Sequence, residues 1–150
     1  MIHYSPLPKN IDDLLTEAYE YLRADKDILF AYLFGGLARK KARPLSDVDI
    51  AVYCVQGSFF PEKKMEILGN LAGILRTDEI DLVVLNRAPL ALKMKILENK
   101  KVIVDKDPSL RHRYESLTMR QYFDFSFKES FILSKRFLHG RQAAYPQKSS

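Results

Sequence analysis

FGGLARKKARPLSDVDIAV, residues 34–52, decides how this sequence is read: a glycine pair closes one apolar run, a basic loop follows, and Asp47-Val48-Asp49 opens the next run. The run before it, ILFAYLFG at residues 28–35, is short, apolar and aromatic, the pattern of a buried strand entering a turn. The run after it, DVDIAVYCV at residues 47–55, is rich in β-branched residues and reads as a second strand. Alternation along that strand puts Val48, Ile50, Val52 and Cys54 on one face as packing residues, and the two aspartates on the other.

Upstream, Ile11, Leu14, Leu15, Ala18, Tyr19 and Leu22 recur at helical spacing, with Asn10 or Asp12 placed to cap the start. Downstream, Pro61 and Glu62 open a helix over residues 61–76 whose apolar positions are Met65, Leu68, Leu71, Ala72 and Leu75. IDLVVLN at residues 80–86 supplies a third strand, Pro89 opens a helix through Leu97, and KKVIVDK makes a short strand. Pro108 opens a helical stretch reaching about Leu138. This order predicts an α/β or α+β domain: a small mixed sheet flanked by helices, with a C-terminal helical extension. One domain is expected over residues 1–140, including the C-terminal helix at about 107–139, followed by a disordered tail at 141–150.

With 150 residues the chain suits one hydrophobic core. The single cysteine excludes an intramolecular disulfide and a cysteine-rich zinc site. No apolar run approaches the roughly 20 residues of a membrane span, and the N-terminus lacks the apolar stretch of a secretion signal, so a cytoplasmic chain without membrane contact is expected. The net charge of +5 suits an anionic partner without choosing among nucleotide, RNA and an acidic protein surface.

The chemistry sits around the glycine turn. Side chains two apart on a strand share a face and lie about 7 Å apart, so Asp47 and Asp49 can both reach one divalent cation. Asp81, just before the apolar LVVL, is placed to face the same site from a neighbouring strand. Magnesium accepts two or three carboxylates and completes its shell with substrate phosphate, which points to phosphoryl chemistry with two metal ions and with Asp81 as ligand or general base. Gly35 and Gly36 carry no side chain, so their backbone N–H groups can approach triphosphate oxygens closely. Taken singly, Asp-x-Asp is a common solvated strand end and Gly-Gly a common turn; the joint spacing is what indicates a nucleotide site. Arg39, Lys40, Lys41 and Arg43 either neutralise a triphosphate or form a solvated loop, and Ser46 either contacts phosphate or caps local backbone.

These residues resemble the minimal nucleotidyltransferases of the DNA polymerase beta superfamily, whose signature is Gly-Ser, ten residues, then Asp-x-Asp. Gly35-Gly36, ten residues from Leu37 to Ser46, and Asp47-Val48-Asp49 reproduce the spacing, and the likeness covers roughly residues 28–86. The chain departs from the pattern at Gly36, where a phosphate-binding serine is usual, and at Lys40, where glycine is frequent. The missing hydroxyl is worth about 1.5–3 kcal/mol, which reduces phosphate binding without abolishing it. The resemblance implies ATP as substrate, Mg2+ as cofactor, and Asp47, Asp49 and Asp81 as metal-binding and catalytic residues. It further implies the antitoxin role of relatives that transfer AMP to a tyrosine of a HEPN-type toxin, a ribonuclease, with no direct nucleic-acid binding expected. The alternatives are a silent nucleotide-binding antitoxin acting by steric cover, or transfer to RNA or a small molecule.

In the C-terminal helix, Phe123, Phe127, Phe131 and Leu138 form an apolar stripe widened by Tyr122 and Phe125. Much of that stripe is expected to be core, with the excess docking a partner protein or a second copy of the chain.

Overall fold

The computed structural model describes residues 10–38, 47–57 and 61–142, so Ser46, the basic cluster at 39–43 and the tail at 143–150 lie outside the described residues. The elements follow in the order α1 (Ile11–Ala24), β1 (Ile28–Phe34), α2 (Gly35–Ala38), β2 (Val48–Cys54), α3 (Pro61–Leu75), β3 (Ile80–Val84), α4 (Leu90–Glu98), β4 (Lys101–Asp105) and α5 (Pro108–Gln142). The four strands form one sheet in the order β3-β2-β1-β4, parallel between β2 and β3 and antiparallel elsewhere. This is the expected mixed α+β arrangement.

The two sheet faces are chemically different. Val48, Ile50, Val52 and Cys54 of β2 point to one side and join Leu14, Leu15, Ala18 and Leu22 of α1 and Ile67, Leu71 and Leu75 of α3 in a continuous apolar core. Burial pushes the Cys54 thiol up to about 11, so it packs as an apolar group and carries no thiolate near neutrality. Within α3 the inward row is Ile67-Leu71-Leu75, at i, i+4 and i+8, whereas Met65 is 66% exposed. The expected placement of Met65 in the apolar stripe is thus corrected: it lies two residues before Ile67, about 200° around the helix from it. At the start of α1, the Asn10 carbonyl accepts from the N–H groups of Asp13 and Leu14, and its side chain makes no cap bond.

The other face is aromatic. Phe30 and Tyr32 of β1 pack with Ala51, Leu85 and Ile96, and the Tyr53 ring stacks on Phe30 at 4.7 Å between centroids. β3 ends at Val84, two residues short of the expected Asn86, because the chain turns into a short 3-10 segment at Leu85–Arg87. The Asn86 side-chain amide then replaces the ladder: its Oδ1 accepts from Cys54 N and its Nδ2 donates to Cys54 O, both at 2.9 Å.

A polar cluster fastens α5 to this face. The buried Tyr32 hydroxyl donates to Glu115 Oε2 at 2.6 Å, and Arg111 reaches the same oxygen at 3.0 Å and Asp105 Oδ2 at 3.0 Å. Hydrogen bonding to Asp105 is the main reason the Arg111 guanidinium is held in its charged form, while burial, reinforced by Glu115, raises the Tyr32 hydroxyl well above its ordinary pKa. Beyond this anchor α5 runs on to Gln142, and Phe123, Phe125, Phe127 and Phe131 are between 55% and 72% exposed. These four phenylalanines of the stripe are therefore surface and not core, while Tyr122 is half-buried and the Leu138 side chain lies outside the described residues; α5, at about 52 Å, outreaches the sheet it packs on.

Removing Glu115 leaves both Arg111 and the Tyr32 hydroxyl without their shared acceptor. Glu115→Ala is expected to destabilise the fold by about 3–5 kcal/mol in urea unfolding, and Tyr32→Phe by about 1.5–3 kcal/mol, since Arg111 still satisfies the carboxylate. A Glu115→Ala effect no larger than that of Tyr32→Phe would contradict this anchoring.

Candidate functional site

Strand register builds the site. Phe34, the last residue of β1, pairs with Asp49 of β2, and Asp49 pairs with Asp81 of β3. Neighbouring strands lie about 4.8 Å apart, so the two aspartates stand side by side on the aromatic face and the glycine turn leaves β1 directly beside them. Gly35 has φ +73°, a left-handed conformation that disfavours any side chain. A Cβ built there would fall on the Oδ2 of Asp49 and lie 3.0 Å from its Cγ. The carboxylate thus fills the space a side chain at residue 35 would need, and glycine is required for conformation and for room alike.

Gly35, Gly36, Asp49 and Asp81 line one cavity of about 360 Å3 together with Leu92, Lys95 and Ile96 of α4 and Asn99 just after it. α2 is a single turn, so what it offers an anion is the backbone N–H groups at its start rather than a long helix dipole. Sequence reasoning did not find Lys95 and Asn99. Their only signal was an i, i+4 polar pair flanking the apolar Leu92 and Ile96, which is also how any solvated helix edge reads.

The expected residues are brought together in part. Asp49 is half-buried and Asp81 exposed, and both face the cavity. Asp47 lies one residue before β2, exposed and outside the cavity lining. Among the described residues, no group of three or more His, Cys, Asp or Glu side chains is close enough to enclose a metal ion. The oxygen-only pair Asp49 and Asp81 nevertheless fits a hard divalent cation of the magnesium type, which takes one or two carboxylates and fills its shell with water and substrate phosphate. Lys95 adds a positive charge to the cavity lining, the sign that a phosphate group requires.

Comparison with known proteins bears on the family and the fold. The sequence model of the family described as Polymerase beta, Nucleotidyltransferase matches residues 17–109. A search of curated proteins returned no match. Among solved structures, a chain from a toxin–antitoxin crystal structure with AMP-PNP is 20% identical over 84% of this chain and 98% of that chain, with a TM-score of 0.66. A chain from a structure of a tri-AMPylated Shewanella oneidensis HEPN toxin in complex with MNT antitoxin is 20% identical over 85% and 93%, with a TM-score of 0.58. A minimal nucleotidyltransferase structure is 26% identical over 61% and 92%, with a TM-score of 0.50. No helix among the described residues is long and apolar enough to cross a membrane.

Gly35→Ala must displace the Asp49 carboxylate and adopt a left-handed backbone. It is expected to weaken nucleotide binding at least tenfold by calorimetry, and Lys95→Ala to weaken it about ten- to a hundredfold through one lost charged contact. Unchanged affinity in Gly35→Ala would contradict the turn as the phosphate seat.

Proposed function

Because this chain belongs to the polymerase beta nucleotidyltransferase family, we propose that it transfers AMP from ATP to a hydroxyl of a partner protein, a tyrosine of a HEPN-type toxin, and so acts as an antitoxin. The observation that carries this reading is the row Gly35, Asp49, Asp81 opening on a single cavity.

In this mechanism the N–H groups of Gly35 and Gly36 hold triphosphate oxygens and Lys95 neutralises them from α4. Asp49 and Asp81, joined by Asp47 from the start of β2, are the residues that would hold Mg2+, which when bound supplies charge neutralisation at the phosphates and acidity at the attacking hydroxyl. The acceptor oxygen bonds to the α-phosphorus, the bond to the pyrophosphate oxygen breaks, and Asp81 accepts the hydroxyl proton. Ser46, outside the described residues, is assigned a phosphate contact on the family resemblance. The likeness to chains from toxin–antitoxin complexes, one with AMP-PNP and one with an AMPylated toxin, supports both the nucleotide and the acceptor.

The partner's docking surface is the distal half of α5. Its phenylalanines, with exposed Ile132 and Leu133, project on more than one side of the helix, a distribution that suits insertion among the helices of an all-helical partner.

Gly36 favours a second reading. It lines the cavity without the hydroxyl usual at that position, so a chain that binds ATP weakly and neutralises its partner by cover alone is the competing account.

Intact-mass spectrometry separates the two. Partner protein incubated with this chain, ATP and Mg2+ should gain one or more AMP units, and the gain should vanish with Asp47→Asn/Asp49→Asn; a stable complex without any gain supports neutralisation by cover. Phe127→Asp/Phe131→Asp should abolish the complex while leaving ATP binding intact, and an undiminished complex would remove α5 as the docking surface.

A further inference from the structure

Against the expectation drawn from the family resemblance that the chain makes no direct contact with nucleic acid, we propose that a groove beside α5, separate from the nucleotidyl site, binds single-stranded nucleic acid. Two adjoining cavities of about 410 and 560 Å3 share Tyr53, Tyr114 and Leu117 as a common wall. Arg87 and Lys93 line the first, and Arg113 and Arg120 the second; among the described residues no Asp or Glu lines either. Four cations along one groove, with no carboxylate among its described lining residues, give it a positive potential suited to a polyanion.

The spacing fits a linear polyanion. Arg113 and Arg120 are seven residues apart, two helical turns or about 10.5 Å, with Tyr114 and Leu117 between them on the groove side. Lys93 lies 5.5 Å from the centroid of the Tyr114 ring, and Tyr53 is held rigidly by its stack on Phe30. A cationic track interleaved with aromatic side chains is how proteins hold single strands, with phosphates on the cations and bases against the rings. Tyr53 and Tyr114 meet edge to face at 5.2 Å and line both cavities, an aromatic wall that a base can extend and an acidic peptide backbone does not.

The groove is distinct from the transfer site. Tyr53 lies on the same face of β2 as Asp49 but four residues on, about 13 Å along the strand. The two sites can therefore be filled together, and this inference does not rest on the reading of the aspartate cavity.

The test is fluorescence anisotropy with an end-labelled 12-nucleotide uridine homopolymer. Affinity should fall with salt at a log–log slope of about −3, from about 0.7 per phosphate contact at four cations. Arg113→Glu/Arg120→Glu should lower affinity at least tenfold. Lys26→Glu/Lys101→Glu, the same charge change at exposed positions outside the groove, should lower it less than threefold. Ultraviolet cross-linking of the strand should map to the peptides holding Tyr53 or Tyr114. Asp49→Asn should leave binding unchanged, which keeps this result separate from any failure of nucleotidyl transfer. Absence of binding, equal losses in the two double variants, or cross-links confined to other segments would overturn the proposal.

Discussion

The carboxylate of Asp49 rests where a side chain at residue 35 would have to be, and this close approach constrains the rest of the fold. It requires that β1 end at Phe34 opposite Asp49, that the chain leave through a glycine with positive φ, and that β2 be held firmly enough for its carboxylate not to swing away. Firmness comes from the opposite side of the same strand. Val48, Ile50, Val52 and Cys54 are nearly or wholly inaccessible and are clamped by α1 and α3, so a shift of β2 would open the main core. The polar site is thus positioned by apolar packing directly behind it.

The parallel neighbour β3 extends this logic by bringing Asp81 alongside Asp49, two carboxylates whose mutual repulsion is relieved when a cation lies between them. α4 then contributes Lys95 to the cavity, with Asn99 following at its end, and Lys93 to the groove. α5 is fastened by Tyr32, Glu115 and Arg111 over its first turns and projects from the body over the remainder. One sheet face therefore carries a carboxylate site at one end and a basic aromatic groove at the other, with a projecting apolar helix beside them.

Much of this was legible in the residues. The glycine pair, the ten-residue spacing and Asp-x-Asp located the turn and β2, and alternation assigned Cys54 correctly to the core, because strand periodicity and glycine conformation are local properties. The adjacency of Asp81 to Asp49 required knowing that β2 and β3 run parallel in that register, which is a long-range property of the sheet. Lys95 and Asn99 were invisible because nothing in α4 says which edge faces the site. The phenylalanines of α5 were misjudged for a related reason: helical spacing reports that a stripe is apolar, not whether the protein has anything opposite to cover it. The sequence extends β3 to Asn86 because the apolar run IDLVVLN continues past Val84, and nothing local shows that the chain turns at Leu85 and that the Asn86 amide takes the place of the backbone ladder.

The most direct measurement is a crystal structure of this chain with Mn2+ and a non-hydrolysable ATP analogue, using the anomalous signal to place the metal. The account predicts a manganese peak within about 2.0–2.5 Å of carboxylate oxygens of both Asp49 and Asp81, with the triphosphate on the N–H groups of Gly35 and Gly36. A nucleotide seated away from the glycine turn, or manganese bound without either aspartate, would contradict it.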